Sequence, residues 1–186
     1  MSEKTINTET VFEGKLLRLE VQDVEFDDGK RATREIVRHP GCTATVARLP
    51  DGRFAFVRQY RKAVDLEMLE IVAGVLEEGE SPDECAAREI REETGHDPVN
   101  LVKLGAVYPT PGYNDEELHL YFAELSATRG ATAPDDDEHV ELVYLERDRV
   151  EQMMANGEIH DAKTLAAFLL YEKKCGSLKL EGRWIE

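Results

Sequence analysis

Gly74-Val75-Leu76-Glu77-Glu78-Gly79-Glu80-Ser81-Pro82-Asp83-Glu84-Cys85-Ala86-Ala87-Arg88-Glu89-Ile90-Arg91-Glu92-Glu93-Thr94-Gly95-His96 is the stretch on which the reading of this chain turns. Ser81 is placed as a helix N-cap, Pro82 takes the first helical position and Glu84 completes a capping box at the third. Asp83 and Glu84 put negative charge in the first turn, where the helix dipole favours it. Gly95 supplies the stop. With Glu89 at zero and about 100° per residue, Glu93 falls at about 40° and Glu92 at about 300°. The three carboxylates share roughly one quadrant. Ala86, Ala87, Ile90 and Thr94 lie beside them, between about 60° and about 160°, and form the edge expected to pack inward. A helix buried by that edge holds its acids at the boundary between core and solvent.

Carboxylates at i and i+4 on a rigid helix can share hard cations. Magnesium takes oxygen ligands, retains some waters and is usually completed by substrate phosphate oxygens. The competing reading is a solvated acidic face laced with Arg–Glu pairs. Composition bears on the choice. The formal charge is −16, from 39 acidic and 23 basic residues. That excess argues against nucleic acid as a partner, because duplex affinity rests largely on Lys and Arg neutralising phosphates. An enzyme acting on an anionic nucleotide then needs local positive charge, which cations held by clustered carboxylates provide. No apolar run approaches the roughly 18 residues of a membrane span. The polar first ten residues lack the basic start and apolar stretch of a signal peptide. Cys42, Cys85 and Cys175 are odd in number and without paired spacing, which indicates free thiols and a cytoplasmic protein.

The first third of the chain reads as strands. Val11 to Phe26 and Ala32 to Val37 flank the turn Asp27-Asp28-Gly29, and Thr43 to Leu49 and Phe54 to Gln59 flank Pro50-Asp51-Gly52. A short strand follows at Glu67 to Val72. Beyond the central helix come strands at Leu101 to Tyr108, Leu118 to Leu125 and Val140 to Leu145, then helices over Arg147 to Ala155 and Asp161 to Lys174. Residues 130–137 read as an exposed loop. This mixture indicates an α+β protein or an α/β/α sandwich. The chain divides into an N-terminal strand subdomain (1–42), a catalytic domain (43–175) and a tail (176–186).

Gly74, five residues, Glu80, seven residues, and then Arg88-Glu89-Ile90-Arg91-Glu92-Glu93-Thr94-Gly95 resemble the Nudix box at every charged and glycine position. The departure is His96, where the pattern has an apolar residue; past the helix stop, it predicts a local packing change rather than lost activity. The resemblance implies an α/β/α sandwich with a mixed sheet and the box as loop–helix–loop. It implies Glu89 and Glu93 as principal magnesium ligands, the Ala73 carbonyl as another, and Glu92 as a further ligand or an aid to the base. Manganese is the natural substitute. Arg88 orients carboxylates, Glu80 braces the loop, and Gly74 permits the backbone conformation that brings the loop over the helix start.

Three features outside the box are similar to ADP-ribose pyrophosphatases. The first is Gln59-Tyr60-Arg61 followed by Leu69-Glu70-Ile71-Val72-Ala73-Gly74. There Arg58 or Arg61 can contact phosphate or ribose, and Glu70 can accept from substrate or from an arginine. The second is Pro111, sixteen residues beyond Gly95, which would equally make a rigid turn. The third is Asp136-Asp137-Glu138, where the family loop supplies a general base or a further metal ligand; Glu138 matches best, and Asp136 has a shorter side chain. The N-terminal strands resemble the segment exchanged between two subunits of a homodimer, so Arg34 and Glu35 either reach the partner's nucleotide or make salt bridges within the strands. Adenine stacking falls to Phe12, Phe26 or Tyr60. The substrate this implies is a nucleoside diphosphate sugar, ADP-ribose in first place. A GDP-mannose hydrolase of the same architecture is the alternative. A silent nucleotide-sensing domain is a further one, opposed by intact Glu80, Glu89, Glu92 and Glu93.

Overall fold

A computed structural model describes residues 2–132 and 140–174. Glu138 with its acidic neighbours, Cys175 and the 176–186 tail lie outside the described residues. The chain forms two sheets. Strands β1 (Glu3–Glu13), β2 (Arg18–Phe26) and β3 (Arg31–Arg38) make an antiparallel three-stranded sheet in sequence order. The run Val11 to Phe26, expected as one strand, is instead the end of β1, a reversal closed by Gly14 N–H donating to Leu17 O at 2.8 Å, and β2. Alternating charge and apolar residues continue through the reversal, so sequence pattern alone does not mark it. Every residue of β1 is exposed, including Ile6, Val11 and Phe12.

The second sheet has six strands: β4 (Cys42–Arg48), β5 (Phe54–Arg61), β6 (Leu66–Val75), β7 (His96–Val107), β8 (Leu118–Arg129) and β9 (Val140–Leu145), in the order β7-β8-β4-β6-β5-β9. The β4–β8 pair is parallel and the neighbouring pairs are antiparallel, so the sheet is mixed, as expected. Pro98 sits in the edge strand β7, where a missing N–H costs least.

Strand alternation gives the two faces different jobs. Val46, Phe54, Phe56, Leu120 and Phe122 form one core with Val150, from α2 (Arg147–Ala155), and with Phe168 and Tyr171, from α3 (Ala162–Lys174). The alternate residues Ala47, Ala55, Val72 and Ala123 pack around Ile90 on the opposite face. Their small side chains let α1 (Pro82–Glu89) and the turn after it approach the sheet closely. The result is helix, sheet, helix, with the Gly74–Gly95 stretch on the small-residue face.

Candidate active site

The helix begins as its sequence dictates. The Ser81 hydroxyl caps Glu84 N–H while the Glu84 carboxylate accepts from Ser81 N–H at 3.0 Å, and Pro82 stands at the helix start. Its end departs from a uniform 3.6-residue spiral. Ile90–Thr94 widen into a single π turn, closed by Gly95 in the left-handed conformation at φ 72°. Single π turns of this kind recur at functional sites. The inward edge holds Ala86, Ile90 and Thr94 as expected, while Ala87 is only half-buried and Cys85 and Glu93 join the buried set. A residue other than glycine at 95 would be strained at that φ and would drive its Cβ to 2.7 Å from Gly130 O.

Arg88 is the hub. Its Nε and Nη2 donate to the two oxygens of Glu80 at 2.8 and 2.9 Å, a bidentate clamp. Nη1 donates to Glu89 at 2.6 Å and to Glu92 at 2.9 Å, and Nη2 also reaches Val75 O at 3.1 Å. One guanidinium therefore ties the loop (Glu80, Val75) to two helix carboxylates. Its hydrogen bonds, that to Glu80 foremost, hold the Arg88 pKa above the usual arginine value. The Arg88 guanidinium in turn pulls Glu80 down to about 2, with Glu77 N–H adding to the effect.

Gly74 acts differently from the sequence-based expectation. Its φ is not in the left-handed region. It lies within β6, opposite Thr43, and a Cβ there would fall 1.8 Å from the Glu89 carboxylate. The glycine is a cradle for that carboxylate: close approach, rather than backbone freedom, is what excludes a side chain. The Glu89 carboxylate thus lies against β6 at Gly74, next to Ala73, and carboxylate oxygens are the ligands that hard divalent cations take.

His96 takes the place of an apolar residue and is buried. Its ring stands edge-on to Tyr144, with Nδ1 2.8 Å from Ser126 O and Nε2 3.1 Å from Tyr144 Oη. Both ring nitrogens are satisfied, so the imidazole fills an apolar position without a desolvation debt.

The other expected residues divide. Arg61 donates bidentately to Glu70 at 2.8 and 2.7 Å. Lys163 of α3 bonds the same carboxylate, which is only 1% exposed. Burial pushes the Glu70 pKa up, but the bonds from Arg61 and the charge of Lys163 outweigh it and hold it below the usual value. Of the two options for Glu70, it takes the arginine. Among the described residues Arg58 makes long contacts, 3.7 Å to Glu67 and 3.6 Å to Glu141. Pro111 is exposed in a turn where Thr110 O accepts from Tyr113 and Asn114 N–H. Arg34 belongs to the small sheet, engaged bidentately by Glu3 and lying over Phe26. Lys163 was not foreseen: it is 93 residues from Glu70, and only Asp161 capping Thr164 marks its surroundings.

A NUDIX domain profile matches residues 38–168, which takes in the six-stranded sheet, the box, α1, α2 and the first half of α3. The chain belongs to the Nudix family. It is 40% identical over 175 residues to ADP-ribose pyrophosphatase of Bacillus subtilis, covering 94% of this chain and 95% of the relative. It is 42% identical over 166 residues to methanol dehydrogenase activator of Bacillus methanolicus, covering 89% and 90%. A crystal structure of an ADP compounds hydrolase superposes with a TM-score of 0.80 over 95% of this chain and 97% of that one, at 24% identity. That likeness shows a shared overall fold.

Proposed function

We propose that this Nudix protein hydrolyses the pyrophosphate of ADP-ribose to AMP and ribose 5-phosphate with magnesium, manganese substituting. The observation that carries the reading is the Glu89 carboxylate seated in the Gly74 cradle, with Arg88 bracing it. The relative named ADP-ribose pyrophosphatase, alike over nearly its whole length, supports the choice of sugar.

Glu89, Glu93 and the Ala73 carbonyl would hold magnesium, which when bound polarises the pyrophosphate and acidifies a water. Arg88 keeps Glu89 and Glu92 oriented, and Glu80 fixes Arg88. Water oxygen joins one phosphorus as the bridging P–O bond breaks, and the water's proton passes to a carboxylate, Glu92 or Glu138, and on to solvent. Arg61, aimed by Glu70, and Arg58, whose contacts are loose enough to exchange, contact phosphate or ribose, with Pro111 shaping the neighbouring turn.

The dimer is part of the same reading. Ile6, Val11 and Phe12 on β1 are exposed apolar residues that a second copy would cover, with residues 1–42 exchanged so that Arg34 reaches the partner's site. A charge of −16 sets the protein against nucleic acid. Among the described residues no helix is long and apolar enough to cross a membrane. The free Cys42 and Cys85 agree with a cytoplasmic setting.

The test is a panel of ADP-ribose, ADP-glucose, GDP-mannose, NADH and diadenosine polyphosphates with magnesium. ADP-ribose is expected to give the largest kcat/KM. A larger value for GDP-mannose would overturn the sugar and leave the hydrolase class standing; no turnover of any member would overturn both.

A further inference from the structure

A second group of donor atoms sits apart from the box carboxylates. A ring nitrogen of His39, the sulfur of Cys42 and a carboxylate oxygen of Glu116 all lie within 4.8 Å of one another, on three half-buried residues. Two segments bring them together: residues 37–42, entering β4, and residues 113–118, entering β8. Val37 N–H donates to Tyr113 O at 2.7 Å, Asp115 N–H to Val37 O at 3.1 Å and Cys42 N–H to Glu117 O at 3.1 Å. The Asp115 carboxylate adds bonds from His39 N–H at 2.9 Å and Arg38 at 2.8 Å, and Asn114 Nδ2 donates to Glu116 at 3.2 Å. The backbone carrying the three side chains is thus fixed before a ligand arrives, as a tight site requires.

The chemistry of the set is not that of the box. Burial pushes the Cys42 thiol well above the usual cysteine range, and the Glu116 charge and hydrogen bond push it further, so the resting thiol keeps its proton. Imidazole, thiolate and carboxylate are together the ligands of zinc, and the sulfur disfavours magnesium. We propose that His39, Cys42 and Glu116 form a second cation site, for zinc or a similar borderline transition metal, with water as the fourth ligand. On binding, the cation displaces the Cys42 proton to solvent and takes a ring-nitrogen lone pair of His39. The site adjoins the Nudix loop through backbone pairing: Cys42 pairs with Val75, and Leu76 N–H donates to Gly41 O at 3.1 Å.

Cobalt tests this on the whole protein, with excess magnesium occupying the carboxylate site. One equivalent of Co2+ should give a near-ultraviolet thiolate-to-cobalt charge-transfer band that Zn2+ then abolishes. C42S should lose the band and keep magnesium-dependent turnover, C85S should keep the band, and H39A and E116Q should each weaken zinc binding by about 10-fold or more. No band in the wild type, or a band that survives C42S and vanishes in C85S, overturns the site. Should C42S not fold, wild-type zinc affinity in both H39A and E116Q overturns it as well.

Discussion

Glu70 and the box carboxylates are glutamates of one sheet-and-helix framework, placed under opposite charge balances. Glu70 is enclosed, and two cations, Arg61 and Lys163, bond its single carboxylate. At the box one guanidinium bonds three carboxylates, Glu80, Glu89 and Glu92, with buried Glu93 one turn along. The first cluster is neutralised by the protein and holds β5, β6 and α3 together. The second shares one guanidinium among three carboxylates, the arrangement proposed above to take added cations. A carboxylate bonded by two cations of its own fold is a joint.

The sharpest way to break this comparison is Glu93→Gln. If the box exists to hold cations, the variant should fold with a Tm close to wild type and lose on the order of 100-fold in kcat, the scale of removing one preorganised electrostatic contact. Turnover at saturating magnesium is the measurement; wild-type turnover would remove Glu93 from the mechanism and leave the box an acidic surface.

Lys163→Met probes the other side. Glu70 keeps Arg61 but loses a buried partner, so the expected cost is about 2 kcal/mol of stability by denaturant unfolding. Released from its full set of partners, Glu70 should aim Arg61 less well, and KM should rise more than kcat falls. A variant with wild-type stability would show that Glu70 is satisfied by Arg61 alone.

How far the sequence announced these two clusters follows from the range of the forces that build them. The capping box at Ser81 and Glu84 and the stop at Gly95 are local, and spacing alone reveals them, whereas the shared quadrant expected for Glu89, Glu92 and Glu93 assumes a regular spiral that the π turn over Ile90–Thr94 departs from. The π turn over Ile90–Thr94 is set by packing against the sheet and has no signal of its own. Gly74 is visible as a glycine, but its reason, the Glu89 carboxylate against its Cα, is a tertiary contact. The Glu70–Lys163 bond spans 93 residues and has no local trace. His96 departs from the box in sequence and conforms to it in space, because Ser126 and Tyr144 take up both ring nitrogens.

The smallest effect concerns acid. The Arg88 clamp depresses the Glu80 pKa from the ordinary value near 4.5 to about 2. A carboxylate with a depressed folded-state pKa contributes stability that is fully present above its unfolded value and is lost as pH falls through the folded one. Wild type should therefore exceed Glu80→Gln by about 1 kcal/mol near neutrality, modest because water still reaches the pair. The gap should narrow between pH 4.5 and about 2. Urea unfolding of both proteins across that range measures it. A gap that stays constant would mean that Glu80 acts through shape rather than charge.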